Sequence, residues 1–229
     1  MREIVFDTET TGLDPKKGDR MVEIGCVEMV NRVETGASFH AYYNPERDMP
    51  AEAEAVHGLS IQFLSDKPLF ADGAAELLEF LGDAPLVAHN ASFDFGFLNN
   101  ELKQCGLEPV DMDRMVDTVT MARRKFPGAK VSLDALCTRF GVDRSHRVKH
   151  GALLDAELLA QVYVELTGGR QIGLELAAEA AAGDAEMTEV QAAQPKREAR
   201  PARRHEASEE ELARHRAFLE KIQKPLWTH

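Results

Sequence analysis

Glu3-Ile4-Val5-Phe6-Asp7-Thr8-Glu9-Thr10-Thr11-Gly12-Leu13 is the stretch from which the rest of this chain can be read. Ile4, Val5 and Phe6 form a short apolar run of β-branched and aromatic residues, the composition of a buried strand. A turn rich in Thr and Gly follows, so the strand is expected over residues 3–7. Asp7 and Glu9 stand two apart at its end, and strand periodicity places residues two apart on one face. Two neighbouring carboxylates repel and raise each other's pKa. A fold keeps such a pair in one of two settings, with a cation between them or as solvated charges at an exposed strand end.

Working outward, residues 20–29 and 37–43 alternate well enough for two further strands, with polar residues 31–36 as their hairpin connection. Residues 86–88 read as a brief strand. Ser92 is placed to N-cap a helix over 93–102. Residues 115–117 suit a last strand, Ser132 caps a helix over 133–140, and a final helix runs over 151–166. Strands first, with helices interleaved afterwards, predict an α/β layer fold with a mixed sheet flanked by helices.

The 229 residues carry 39 acids against 27 bases, for a net charge of −12, and 44% are hydrophobic. A chain of this length can bury a core without disulfides or a structural metal. The balance excludes a basic nucleic-acid-coating protein; binding to phosphates would require metal ions or a local basic patch. Cys26, Cys105 and Cys137 are far apart and form no CxxC pair, which points to a reducing cytoplasm. No apolar run approaches the ~18 residues of a membrane span, and the start MREIVFD lacks a signal-peptide core. A cytoplasmic protein with no membrane partner is expected.

Two further segments bear on the acidic pair. In His89-Asn90-Ala91-Ser92-Phe93-Asp94, a carboxylate opens a helix that follows a strand, where it could also serve merely as a helix-dipole partner. In His150-Gly151-Ala152-Leu153-Leu154-Asp155, the histidine at the mouth of a helix can approach what Asp155 holds. Four carboxylates and a histidine meet the needs of two-metal phosphodiester hydrolysis. Two divalent ions about 4 Å apart clamp the attacking and leaving oxygens, and hard oxygen ligands suit Mg²⁺ or Mn²⁺. The histidine would act as general base. Metal ions would also invert the local sign of an acidic surface toward DNA.

Asp7-x-Glu9-Thr10-Thr11-Gly12-Leu13, His89-Asn90-x-x-Phe93-Asp94 and His150-x4-Asp155 resemble the three motifs of the DEDDh 3′–5′ exonucleases. The resemblance covers residues 1–167. With Val56-His57-Gly58-Leu59 and the run after His150, it is most similar to the proofreading epsilon subunits of bacterial DNA polymerase III. It implies a ribonuclease-H-like fold and a metal-dependent exonuclease that removes mispaired primer ends. Two divalent ions, Mg or Mn, would be the cofactors, with Asp7, Glu9 and Asp155 on one, Asp7 bridging to the second, Asp94 acting on that one largely through water, and His150 as base. It also implies that Thr8, Thr11, Leu13, His57 and Asn90 contact the 3′-terminal nucleotide, with Leu13 as a wedge. Glu52 matches an acid near the terminal sugar, although Glu54 is a rival. His89 and Phe93 are either motif contacts or packing residues.

After Gly168-Gly169 the texture changes. Residues 184–229 hold nine acids and nine bases, so the whole excess of acid lies before them. Gln171, Leu174 and Leu176 fit the loose QxxLxL pattern of peptides that bind the sliding clamp, though the same residues could continue the last helix. Residues 194–204 have the composition of a linker. Ser208-Glu209-Glu210-Glu211 forms a capping box, and Leu212, His215, Phe218, Leu219 and Ile222 follow at helical spacing, with Trp227 beyond Pro225. Such a helix either folds back on the main domain or docks on another protein. The division expected is 1–170 for the nuclease, 171–207 for clamp peptide and flexible linker, and 208–229 for a helix that docks on the polymerase (alpha) subunit. A small accessory subunit on the nuclease fits the same resemblance. The competing readings are an RNA 3′ exonuclease similar to ribonuclease T, which the tail disfavours, and a replicase scaffold with an incidental nuclease.

Overall fold

The computed structural model describes residues 1–145, 147, 149–169 and 207–219. Two compact units divide the chain at Leu174 and Glu175. The first is built on a five-stranded sheet in the order β3-β2-β1-β4-β5. Here β1 is Arg2–Thr10, β2 Met21–Val30, β3 Val33–Tyr42, β4 Leu86–Ala88 and β5 Met115–Asp117. The first three strands run antiparallel, while β4 and β5 lie parallel to β1 and to each other. A mixed sheet flanked by helices is the architecture expected from the sequence.

Helices α1 (Ala51–His57), α2 (Ile61–Leu64), α3 (Phe70–Leu81), α4 (Ala91–Gln104), α5 (Thr118–Lys125), α6 (Leu133–Phe140) and α7 (Ala152–Leu166) complete this unit. In β1 the side chains alternate. Ile4 and Phe6 join Leu77, Phe95 and Leu98 in the core under α3 and α4. Val5 joins Leu136, Leu159 and Val162 in a second core under α6 and α7. Glu3, Asp7 and Glu9 share the parity of Val5, so α7 covers the face on which the acidic pair lies. At the far end of that face the Tyr163 hydroxyl donates to Glu3 at 2.6 Å.

Three expectations need correction. The first strand extends through Thr10, because Thr8, Glu9 and Thr10 stay paired with β2 instead of turning. The hairpin connection is two residues rather than six. Asn31 (φ 52°) and Arg32 (φ 66°) both take the left-handed conformation, which matches the twist of the flanking strands. Ser92 is not the cap of α4: Asn90 occupies that position at φ 68°, and the helix starts at Ala91. The Asp117 carboxylate accepts from the N–H groups of Asn90 and Ala91 at 3.1 and 3.4 Å, replacing a local cap.

The second unit is described through α8, Glu209–Leu219. The expected capping box is present, with Ser208 N–H donating to the Glu211 carboxylate at 2.9 Å and Glu211 N–H to the Ser208 hydroxyl at 3.3 Å. Phe218 and Leu219 lie on this helix, whereas Gln171, Leu174, Leu176, Ile222, Trp227 and the linker at 194–204 lie outside the described residues. Among the described residues, no helix is long and apolar enough to cross a membrane.

Candidate active site

A cleft of about 580 Å³ opens where β1, α4, α6 and α7 meet, and Asp7, Glu9, Asp94, His150 and Asp155 all line it. Each carboxylate comes from an element fixed by ordinary packing. Asp7 and Glu9 sit in the central strand, Asp94 in the first turn of α4 and Asp155 in the first turn of α7.

A glycine sets the position of α7. Gly25 on β2 is the register partner of Asp7. A Cβ there would lie 2.2 Å from the Leu153 backbone nitrogen, so only glycine lets the start of α7 come this close to the sheet. Asp155 follows two residues later and is 3% exposed. His150, on the segment before the helix, is half-exposed and brings its Nδ1 to 3.3 Å from Asp155 Oδ2.

The electrostatics are those of acids gathered without enough counter-charge. Asp7 keeps part of its surface open to the cleft, yet the protein around its carboxyl excludes most water. Burial raises its pKa well above the ordinary value, and Asp94, Glu9 and Asp155 add to the rise. Glu9 is pushed up to about 8, first by burial and then by Glu23, its cross-strand partner, with Asp155 and Asp94 contributing less. Burial also pushes Asp94 up to about 7, although a 2.7 Å hydrogen bond from the Thr8 hydroxyl opposes the rise.

Arg147 reaches into this cluster and was not anticipated from the sequence. Its Nε and Nη2 donate to the two oxygens of Asp155 at 2.5 Å each, and its Nη1 donates to Asp134 at 2.9 Å. Nη2 also lies 2.9 Å from His150 Nδ1. Only its position three residues before His150 could have singled it out in the sequence. Asp134 and Arg123, likewise unforeseen, line the same cleft.

A second, mostly apolar cavity of about 520 Å³ adjoins the cleft, sharing Glu9 and Phe93. Thr11, Leu13, Glu52 and His57 line it; Glu54, the rival of Glu52, does not. Leu13 is 84% exposed at its rim. The loop carrying Leu13 is tied down by Asp19, which accepts from Asp14 N–H at 3.0 Å and from Arg47 at 2.8 Å. A Cβ on Gly12 would strike the Asp19 carboxylate, so the turn needs glycine for space.

His57 is buried, which lowers its pKa, and its Nδ1 accepts from Leu59 N–H at 3.0 Å. Its buried Nε2 has no partner of hydrogen-bond geometry, although the Thr10 carbonyl lies toward it. The Thr8 hydroxyl is occupied by Asp94, and the Thr11 hydroxyl accepts from Arg20 N–H at 3.0 Å. Asn90 lines the main cleft and is exposed. His89 Nδ1 lies 2.9 Å from the Thr118 hydroxyl, whereas Phe93 packs on Phe97 with ring centres 5.0 Å apart.

The exonuclease family model matches residues 4–163, the span that builds both cavities. A DNA polymerase III subunit epsilon of Rickettsia felis is 58% identical over 174 residues, covering 75% of this chain and 76% of its own. That of Salmonella typhimurium is 44% identical over 232 residues, covering 97% of this chain and 94% of its own. The chain belongs to the DNA polymerase III epsilon family of exonucleases.

As an epsilon-family member it is a 3′–5′ exonuclease, the proofreading subunit of DNA polymerase III. Among solved structures, exonuclease X in complex with 5′ overhanging duplex DNA matches with a TM-score of 0.57 at 26% identity, over 72% of this chain and 90% of that one. An Escherichia coli exonuclease I bound to single-stranded DNA has a TM-score of 0.62 at 18% identity, over 74% of this chain and 41% of that one, a likeness of fold. The epsilon family depends on divalent metal, and a donor set fitting such an ion is present. One ligand atom each from Glu9, His150 and Asp155 lies within 4.8 Å of the others.

Proposed function

We propose that this cleft hydrolyses the 3′-terminal phosphodiester of a primer strand with two divalent ions, Mg²⁺ or Mn²⁺. Asp7, Glu9 and Asp155 would hold one, with Asp7 shared with the second and Asp94 acting on it through water. The observation that carries this reading is the convergence of four carboxylates, three with raised pKa, in one cleft. A cluster of acids that the fold leaves under-compensated suits hard divalent cations. The ions, when bound, supply Lewis-acid stabilisation of charge on the attacking and leaving oxygens.

The chain's own residues do the rest. His150, half-exposed and next to Asp155, takes the proton from the attacking water as general base. The adjoining apolar cavity takes the terminal nucleotide, with Leu13 wedged at its rim, Glu52 toward the sugar and His57 as a polar contact, while Asn90 meets the nucleotide from the main cleft. Thr8 holds Asp94 in place, and Thr11 holds the loop that carries Leu13. A terminal base must leave its partner to reach this cavity, and a mismatched base does so at lower cost.

The partners we propose are DNA 3′ ends, the alpha polymerase subunit, engaged by residues 208–229 through Phe218, Leu219, Ile222 and Trp227, and the sliding clamp, engaged weakly by Gln171, Leu174 and Leu176. A small accessory subunit on the nuclease belongs to the same reading, as does a cytoplasmic location beside the replication machinery. A tether makes proofreading intramolecular, at an effective concentration around millimolar.

The test is chelation followed by metal addition, with matched and mismatched primer ends as substrates for the full chain. The chelated protein should be inactive, Mg²⁺ or Mn²⁺ should restore it, and mismatched ends should be cut faster. Activity in excess chelator would defeat the metal mechanism. Equal rates on both ends would defeat the account of the nucleotide cavity. For the tail, deleting residues 208–229 should leave the intrinsic nuclease rate unchanged and abolish co-purification with the polymerase subunit. A destabilised nuclease that still binds polymerase would assign the helix to the nuclease instead.

A further inference from the structure

We infer that Arg147 is a built-in competitor for the metal site: its guanidinium holds Asp155 in the metal-free enzyme and leaves that carboxylate when a divalent ion binds. The inference rests on the metal reading above and concerns a residue that reading does not use.

The geometry is unusual for a salt bridge of purely structural purpose. Arg147 bonds both oxygens of Asp155 through two parallel N–H groups, the strongest arrangement available to this pair. A carboxylate so occupied has few lone pairs left in the cleft for an ion. The same guanidinium lies 2.9 Å from His150 Nδ1, so in this state one cation engages both the proposed ligand and the proposed base. The Arg147 side chain is only 9% exposed, so it holds a defined place in the cleft wall.

Asp134 supplies the alternative place. It lies on α6, outside the acidic cluster, accepts from Arg147 Nη1 at 2.9 Å and is 48% exposed. When the two N–H groups leave Asp155, the guanidinium remains anchored there on the rim of the same cleft. Arg147 then keeps its charge beside the cleft, where the phosphate of a bound strand would be its next partner. The arrangement reconciles two demands on a site of like charges. Without metal, a resident cation bonded to Asp155 partly offsets the repulsion among the acids. With metal, the guanidinium and the ion compete for the Asp155 lone pairs that face the cleft.

A general loss of positive charge would also favour metal binding, so a control is needed. Arg144 carries the same charge and bonds the same Asp134 at 2.9 Å, but does not bond Asp155. Binding of Mn²⁺ to the full chain, followed by electron paramagnetic resonance or calorimetry, should be at least about tenfold tighter in Arg147→Met and changed by less than about threefold in Arg144→Met. Arg147→Lys, which keeps the charge but loses the two-pronged fork, should fall between Arg147→Met and the wild type.

Wild-type protein provides a readout that depends on no variant. The Arg147 Nε–H resonance should be shifted and protected from exchange in chelator, and should lose both features when Mg²⁺ is added. Equal affinities in wild type and Arg147→Met, equal gains in Arg147→Met and Arg144→Met, or an Nε–H signal unmoved by saturating Mg²⁺ would each overturn the inference. A wild-type chain that binds no Mn²⁺ at all would overturn the metal reading beneath it as well.

Discussion

Two of the regions in which this molecule buries carboxylates treat them in opposite ways. Glu101 on α4 has no exposed surface, yet each of its oxygens is answered: Arg20 donates through Nε and Nη2 at 2.8 Å each, and Met21 N–H donates at 3.1 Å. A few turns of chain away, Asp7, Glu9, Asp94 and Asp155 crowd one cleft with Arg147 as the one guanidinium bonded to any of them among the described residues. The first region shows what folding does with a buried acid when the fold is the only concern. It supplies a matched cation and a backbone donor, because an unpaired buried charge is costly. The second leaves acids short of positive charge, which folding alone does not favour. The contrast marks the cleft as the place where charge from outside the chain is to be bound.

The largest effect expected in this comparison is at Asp7. Asp7→Ala should abolish hydrolysis and leave the metal-free melting temperature equal or higher, since it removes a ligand and a source of repulsion together. Activity assays and melts in chelator check both halves; a near-normal rate would break the contrast at its centre. His150→Ala comes next, with a loss of roughly two to four orders of magnitude in rate, as expected when general-base help is removed. Mn²⁺ binding should persist, so a parallel collapse of metal affinity would make the histidine a ligand rather than a base.

The structural pair should respond in the other currency. Arg20→Met strands Glu101 and should cost about 3–5 kcal/mol of stability, read from denaturant midpoints, while the rate of the molecules that remain folded changes little. A small loss of stability there would show that burial alone does not separate the two regions.

The smallest effect is on pH dependence. Glu9 in the folded chain titrates at about 8 and Asp94 at about 7, both above their unfolded values, so the folded chain binds protons that the unfolded chain releases. That contribution to stability is complete below the unfolded carboxylate range and is lost as pH rises through about 7 to 8. Metal-free protein should therefore melt lower at pH 8.5 than at pH 6, by roughly a few degrees. Mg²⁺ should reverse the trend, because deprotonated ligands bind it better. A metal-free melting temperature that rises over this window would refute the electrostatic account of the cleft.

Much of the fold was legible because its signals are local. The apolar run at Ile4 to Phe6, the brief strands at Leu86 and Met115, the Ser132 cap of α6 and the capping box at Ser208 each depend on residues within a few positions of one another. The expectations that failed depended on distant partners. Strand β1 continues through Thr10 because β2 pairs with it, and α4 begins at Ala91 because Asp117, on another strand, accepts the first N–H groups. Helix α3 carries Phe70, Ala74, Leu77 and Leu81 at helical spacing, a pattern of the same local kind.

For the site, the sequence by itself determined which chemical groups are available and in what order: two acids on one strand face, one at the start of a helix, and a histidine five residues before the last. That much follows from backbone periodicity, which places Asp7 and Glu9 together whatever surrounds them. Only the tertiary structure decided how close these groups come and what else joins them. Gly25 sets the approach of α7, Glu23 adds its field to Glu9, Glu52 rather than Glu54 lines the cavity beside the cleft, and Arg147 reaches Asp155. The physical reason is range. Strand and helix periodicity act over a few residues, whereas burial, repulsion between carboxylates and the reach of a guanidinium depend on distances through space that chain order does not encode.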